Sequence, residues 1–157
     1  MERFFRTDDN SSILLAQRIA LGLVVLPHGA QKLLGWFGGY GFAGTMGFFT
    51  DVMGLPWLVA FLVILAESVG SVMLIAGLGT RLAALGLSLV MAGAVLTTHL
   101  QHGIFMNWFG TQAGEGFEFH LLALALSIPI VIWGGGRHAL DTQLWQRLRA
   151  LPAERTA

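Results

Sequence analysis

Cysteine is missing from all 157 residues, which excludes a disulfide, a thiolate nucleophile and any Cys-ligated zinc or iron–sulfur cluster. Charge is scarce too: 11% of residues are Asp, Glu, Lys or Arg, against about 25% in an ordinary soluble domain. No Walker loop, dinucleotide fingerprint or nucleic-acid module occurs, and the run Gly134-Gly135-Gly136 reads as a helix stop. Nucleic acid is therefore not an expected partner, and any redox role must use a bound cofactor or another subunit. What the chain does contain is apolar surface, 55% hydrophobic residues with mean hydropathy +0.69, together with 21 glycines. One membrane-embedded domain over residues 1–157 is expected, with the lipid bilayer as its first partner.

Four apolar spans stand out: Ile13 to Leu34, Pro56 to Leu78, Leu82 to Leu100 and Phe117 to Trp133. At about 1.5 Å rise per residue, each approaches the roughly 30 Å of a hydrocarbon core. The fold class is thus all-α, a polytopic bundle of four transmembrane helices. Arg3 and Arg6 before the first span give it the look of a secretory signal, but Pro27-His28-Gly29-Ala30-Gln31-Lys32 follows with no cleavage pattern, so an uncleaved helix is expected. Arginines gather at Arg3, Arg6, Arg18 and Arg81 and at Arg137, Arg147, Arg149 and Arg155, whereas the connections 35–55 and 101–116 have no Lys or Arg. The positive-inside rule then puts both termini and the tail 137–157 in the cytoplasm and the two connections outside.

Both connections are greasy. Phe42, Met46, Phe49 and Met53 recur at helical spacing, which predicts a short interfacial helix. Trp36, Tyr40, Trp57 and Trp108 suit an aromatic belt, and the alternative is a lid folded over a lipid-accessible pocket. After the fourth span, Leu140, Leu144, Leu148 and Leu151 form a stripe suited to the cytoplasmic interface.

Glu67 sits in the middle of the second span. A carboxyl group there costs about 2.5–3.5 kcal/mol on insertion scales and implies a partner, a cavity or both. His28 and Lys32, four residues apart, share a face in the outer half of the first helix, with Arg18 below them. Pro27 frees the Leu23 carbonyl beside them. Ser71 follows Glu67 by one turn, and Ala66-x-x-x-Gly70 permits close helix approach. The third span ends at His99 with His102 three residues on. The fourth opens with Glu118-Phe119-His120, where about 200° of helical rotation separates Glu118 from His120, so one of them is expected to face the core. The candidate pocket is His28, Lys32, Glu67, Ser71, His99, Glu118 and His120, with Arg18, Arg81 and Asp141 as polar residues of the cytoplasmic side. The bland alternative is a hydrogen-bond network that only fixes packing. His99 and His102 have a spacing that allows two imidazoles on one metal, completed by His28, His120 or Glu118, and haem with two axial histidines is a further alternative. Neither has a supporting motif such as C-x-x-C-H.

Arg18, Leu21-Gly22, His28-Gly29-x-x-Lys32-Leu33, Ala66-Glu67-x-x-Gly70, Gly77-Leu78-x-Thr80-Arg81, His99, Glu118 and Gly134-Gly135-Gly136-Arg137-His138-Ala139-Leu140-Asp141 together resemble the DoxX family of small bacterial membrane proteins. The resemblance runs from Arg18 to Asp141 and departs at Ala139, where a Ser is expected two residues before the Asp; the role of Asp141 is therefore open. It implies a four-helix inner-membrane protein. The family name is shared with the membrane subunit of a thiosulfate:quinone oxidoreductase, other relatives are linked to membrane oxidoreductase and oxidative-stress complexes, and several sit in operons for metal-binding peptides. No agreed set of catalytic residues comes with it.

Two functions follow as expectations. One is a redox-associated membrane subunit with a quinone-type or other small lipophilic ligand in the outer half of the bundle, working with an electron-donating protein partner. The other is a non-enzymatic scaffold or assembly partner for other proteins, with a homo-oligomer left open in either case.

Overall fold

The computed structural model describes residues 10–150, with no side-chain detail at 145 and 147–150. Arg3, Arg6, Leu151 and Arg155 lie outside the described residues, as do the side chains of Arg147, Leu148 and Arg149. Every regular element among the described residues is helical.

Helix α1, Ser12–Leu34, begins where Ser11 Oγ accepts the Leu14 N–H at 3.2 Å and ends at Gly35 in the left-handed region. It runs through Pro27 without a break. Helix α2, Gly41–Gly47, continues as a π turn at Phe48–Val52. It is the short helix expected from the Phe and Met spacing. Its Thr45 and Met46 are buried, and Met46 packs with Ala60 and Ile64 of the next helix, so the first connection is seated on the protein and is not a free loop.

Helix α3 spans Trp57–Ala76 and helix α4 spans Thr80–His102. Each contains a π turn in its interior, at Ala66–Gly70 and Val95–His99 respectively. A π turn widens the backbone by one residue and loosens the i−4 ladder. In α3 the side chains repair this: Ser68 Oγ donates to the Ile64 carbonyl and Ser71 Oγ to the Glu67 carbonyl, both at 2.6 Å. Helix α4 starts at Thr80, two residues ahead of the expected Leu82. The reason lies far away in sequence. The Asp141 carboxylate accepts the Gly79 and Thr80 backbone N–H groups at 2.7 and 2.9 Å and the Thr80 hydroxyl at 2.9 Å, which caps the helix and meets its positive end.

Helix α5, Glu118–Trp133, is apolar but only 16 residues long. Helix α6, Leu140–Ala150, follows the glycine turn. Leu140 and Leu144 of its expected apolar stripe are exposed. By length and composition α1, α3 and α4 can cross a bilayer.

Neighbouring helices run antiparallel, as the paired contacts show. Gly29 meets Glu67 while Gly22 meets Ser71 and Ile75. Arg81 bonds Val131 and Ile132, the Ser88 and Ser127 hydroxyls share a hydrogen bond at 2.7 Å, and the His99 and His120 rings touch. Leu21, Val25, Leu74, Leu87, Ala123 and Ile130 bring all four long helices into one apolar core. Two polar layers lie at its two ends.

Candidate functional site

One polar layer is closed. Arg18, only 2% exposed, donates from Nε to the Gly135 carbonyl at 2.9 Å, from Nη1 to Leu74 and Ile75 at 2.8 and 2.7 Å, and from Nη2 to Arg137 at 3.3 Å. The C-terminal carbonyls of α3 have no partner within their own helix, and a guanidinium fork suits both their geometry and the negative end of the helix dipole. Arg81 does the same for α5, with Nη1 donating to the Val131 and Ile132 carbonyls at 2.6 Å. Gly77, at φ 76°, lies so close to the start of α6 that a Cβ there would stand 2.6 Å from Ala139 Cα. Ala139 is itself fully buried, and the Asp141 N–H bonds the Gly77 carbonyl at 2.9 Å. Asp141 therefore has a structural role that the sequence left open: it fastens the turn between α3 and α4 to the segment after α5.

The other layer is centred on Glu67 and Lys32. Lys32 Nζ donates to Glu67 Oε2 at 2.5 Å, with the Glu67 side chain 7% exposed and the Lys32 side chain 23% exposed. The π turn carries Glu67 on α3, and Gly29 lets α1 approach it; a Cβ on Gly29 would lie 2.4 Å from the Glu67 carbonyl oxygen. A carboxylate and an ammonium that meet in an apolar layer offset part of their desolvation.

Several expected members are placed differently. His28 is exposed, with its ring 6.0 Å from Phe119 of α5, and does not join the Lys32–Glu67 contact. Pro27 lies inside α1, and His28 beside it is on the exposed face of that helix. Ser71 is fully buried, and its hydroxyl is committed to the Glu67 carbonyl, so it offers no donor to a ligand. Of the two groups opening α5, His120 faces inward at 8% exposure, while Glu118 is half-buried and accepts the Trp108 indole N–H at 3.2 Å. His99 and His120 meet with ring centroids 4.2 Å apart, and His99 Nδ1 bonds the Glu115 carbonyl at 2.8 Å. His102 turns away toward Gln101 and Gly114. Among the described residues no group of three or more His, Asp or Glu side chains is arranged to hold a metal ion.

Trp36, Tyr40, Trp57 and Trp108 are all exposed. Surface grooves occur at Ser11, Leu14, Gln17, Pro129 and Trp133 and along Leu96 to Gln101. Sequence reasoning missed Ser68 and gave Thr80 only as part of the family pattern; each is buried and hydrogen-bonded at a helix irregularity or cap. Their signal was the hydroxyl beside a special backbone feature, and that feature was visible only in three dimensions.

The family model described as DoxX matches residues 13–100, more than half of the chain. The protein named "Putative oxidoreductase CatD" of Bacillus subtilis is 30% identical, over 81% of this chain and 83% of its own length. The "Uncharacterized membrane protein Rv3486" of Mycobacterium tuberculosis is 31% identical, over 87% of this chain and 83% of its own. No solved structure matches. With three apolar helices of spanning length and a family match across them, the chain is a membrane protein that belongs to the DoxX family.

Proposed function

We propose that this chain is a four-helix transmembrane subunit of a redox complex in the bacterial inner membrane, holding a quinone-type or other small lipophilic ligand beside the Lys32–Glu67 pair. The observation that carries the reading is the ion pair itself. Two ionised groups held among spanning helices cost more to bury than an apolar pair of similar size, and intramembrane acids of this kind mark ligand and proton sites. The Bacillus relative is named as an oxidoreductase, which agrees with a redox setting. The fit of the residues to such a ligand rests on a buried ring nitrogen of His120 that has no partner.

When bound, a quinone supplies a two-electron, two-proton acceptor. Lys32 holds Glu67 at Oε2, which leaves Oε1 as the atom at which a proton is exchanged. Electrons come from a partner subunit, because the chain has neither cysteines for an iron–sulfur cluster nor a dinucleotide-binding fingerprint for a flavin. Glu67→Gln keeps size and hydrogen-bonding capacity but cannot exchange a proton. Quinone-dependent turnover by the assembled complex is expected to fall about tenfold or more, the scale for a lost positioned acid or base, with insertion and assembly intact. Unchanged turnover would favour the scaffold reading.

The same reading places both termini in the cytoplasm, since the arginines at 18, 81 and 137 lie toward one end and the connections without Lys or Arg toward the other. Thr111 and Gln143 are both exposed. A cysteine at Thr111 should react with an impermeant thiol reagent outside intact spheroplasts, and one at Gln143 should react only after lysis. The reverse pattern would invert the topology.

A further inference from the structure

A groove of about 330 Å³ runs between the start of α1 and the end of α5, lined by Ser11, Ile13, Leu14, Gln17, Pro129 and Trp133. That volume is at the lower end of those that hold a small molecule. The groove lies beside the Arg18 layer, away from Lys32 and Glu67. Arg18, the residue after Gln17, donates to the Gly135, Leu74 and Ile75 carbonyls, so Gln17 stands near the level where α3 and α5 end. The apolar run of α5 stops there at Trp133, which is exposed. An exposed indole at such a border suits the boundary between hydrocarbon and lipid headgroups.

Gln17 is the unusual member of this lining. Its side chain is only partly exposed, and its Oε1 atom is buried with no hydrogen-bond partner among the described residues. A buried acceptor without a donor keeps its desolvation cost. The terminal amide torsion of Gln is broad, so rotation about it turns the oxygen toward the groove. An acyl chain lying there would leave the oxygen unpaired. A choline headgroup would do the same, because its nitrogen carries no hydrogen. A primary ammonium donates, and its charge strengthens the bond. A counterpart for phosphate stands at the other edge: Arg137 is exposed, and its backbone N–H bonds the Ser11 carbonyl at 3.1 Å, which roots a cationic side chain beside the groove.

We propose that this groove binds an amino phospholipid, phosphatidylethanolamine, from the leaflet at the Arg18 end of the molecule. Its ammonium donates to Gln17 Oε1, its phosphate faces Arg137, and an acyl chain follows Pro129 and Trp133 into the bilayer. The site is independent of the quinone reading and lies at the opposite end of the core.

The full chain, delipidated in detergent, is titrated with dioleoyl phosphatidylethanolamine, its N-methyl and N,N-dimethyl forms and dioleoyl phosphatidylcholine, with bound lipid read by native mass spectrometry. The lipids that keep an N–H should bind with similar Kd. The choline lipid should bind about tenfold more weakly, which corresponds to one lost hydrogen bond of about 1.4 kcal/mol. Gln17→Leu should remove that step, and Arg137→Gln should weaken the whole series equally, about two- to fivefold, as for an exposed charge pair. The wild-type series stands by itself if Gln17→Leu does not fold. A gradual decline across the series, equal affinity throughout, or a step that survives Gln17→Leu would overturn the site. Tighter binding of dioleoyl phosphatidylglycerol than of the ethanolamine lipid would overturn the ammonium assignment, and competition by soluble phosphoethanolamine would overturn the lipid as the source of the headgroup. Unchanged affinity in Arg137→Gln would overturn the phosphate contact.

Discussion

Gly29→Ala is expected to destabilise the protein by about 3 kcal/mol or more, at the upper end of overpacking costs, and to separate Lys32 from Glu67. The added Cβ would stand 2.4 Å from the Glu67 carbonyl oxygen and 2.6 Å from Ser68 Cα, both main-chain atoms of the π turn in α3. Main chain cannot move aside as a side-chain tip can, so α1 and α3 must part along their whole contact. The internal control is Gly93→Ala in α4, where a Cβ meets nothing within 4 Å. That change should be neutral or stabilising by up to about 1 kcal/mol through helix propensity. Thermal unfolding of both variants in the same detergent tests the pair. Equal melting temperatures would mean that the close approach at Gly29 does not hold α1 against α3.

Arg18→Met should have an effect of similar size at the other end of the molecule, about 3–5 kcal/mol by analogy with breaking a buried charged network. Two effects compete. Removing a guanidinium spares its desolvation, which favours the variant. Against this, the carbonyls of Leu74, Ile75, Gly135 and Arg137 lose their donors together, and each buried orphan costs about 1–3 kcal/mol. Four acceptors outweigh one charge. Arg18→Lys keeps the charge but lacks the planar fork that reaches carbonyls on two segments, so it should fall between wild type and Met. A Met variant as stable as wild type would show that water satisfies those carbonyls without the arginine. The loss in Arg18→Met should come without a specific loss of quinone affinity, because the Arg18 layer lies at the opposite end of the core from Lys32 and Glu67.

The long helices were legible because their signal is additive: many apolar side chains in a row outweigh any local exception. Pro27 is such an exception, and the helix passes through it. Polar contacts were less legible. Lys32 and Glu67 could be matched by depth, since lipid offers a charge few alternatives, but the orientation of His28 depended on the rotation of α1 and on whether Pro27 bends it. The hydroxyl of Ser71 was expected in a pocket and is instead spent on the Glu67 carbonyl one turn back in the same helix.

The sequence by itself determined the all-helical class, the apolar segments, the early and late ends of each to within about two residues, and the presence of an acid where lipid would tolerate none without a partner. These follow from composition and periodicity, which are properties of short windows of chain. Only the tertiary structure decided that Asp141 caps a helix starting 61 residues earlier, that Arg18 closes carbonyls on two distant segments, that Gly29 is the point where two backbones touch, and that His120 rather than Glu118 turns inward. Each depends on helix rotation and on the close approach of segments far apart in sequence. A hydrogen bond is decided within a few tenths of an ångström, which hydrophobic patterning does not resolve.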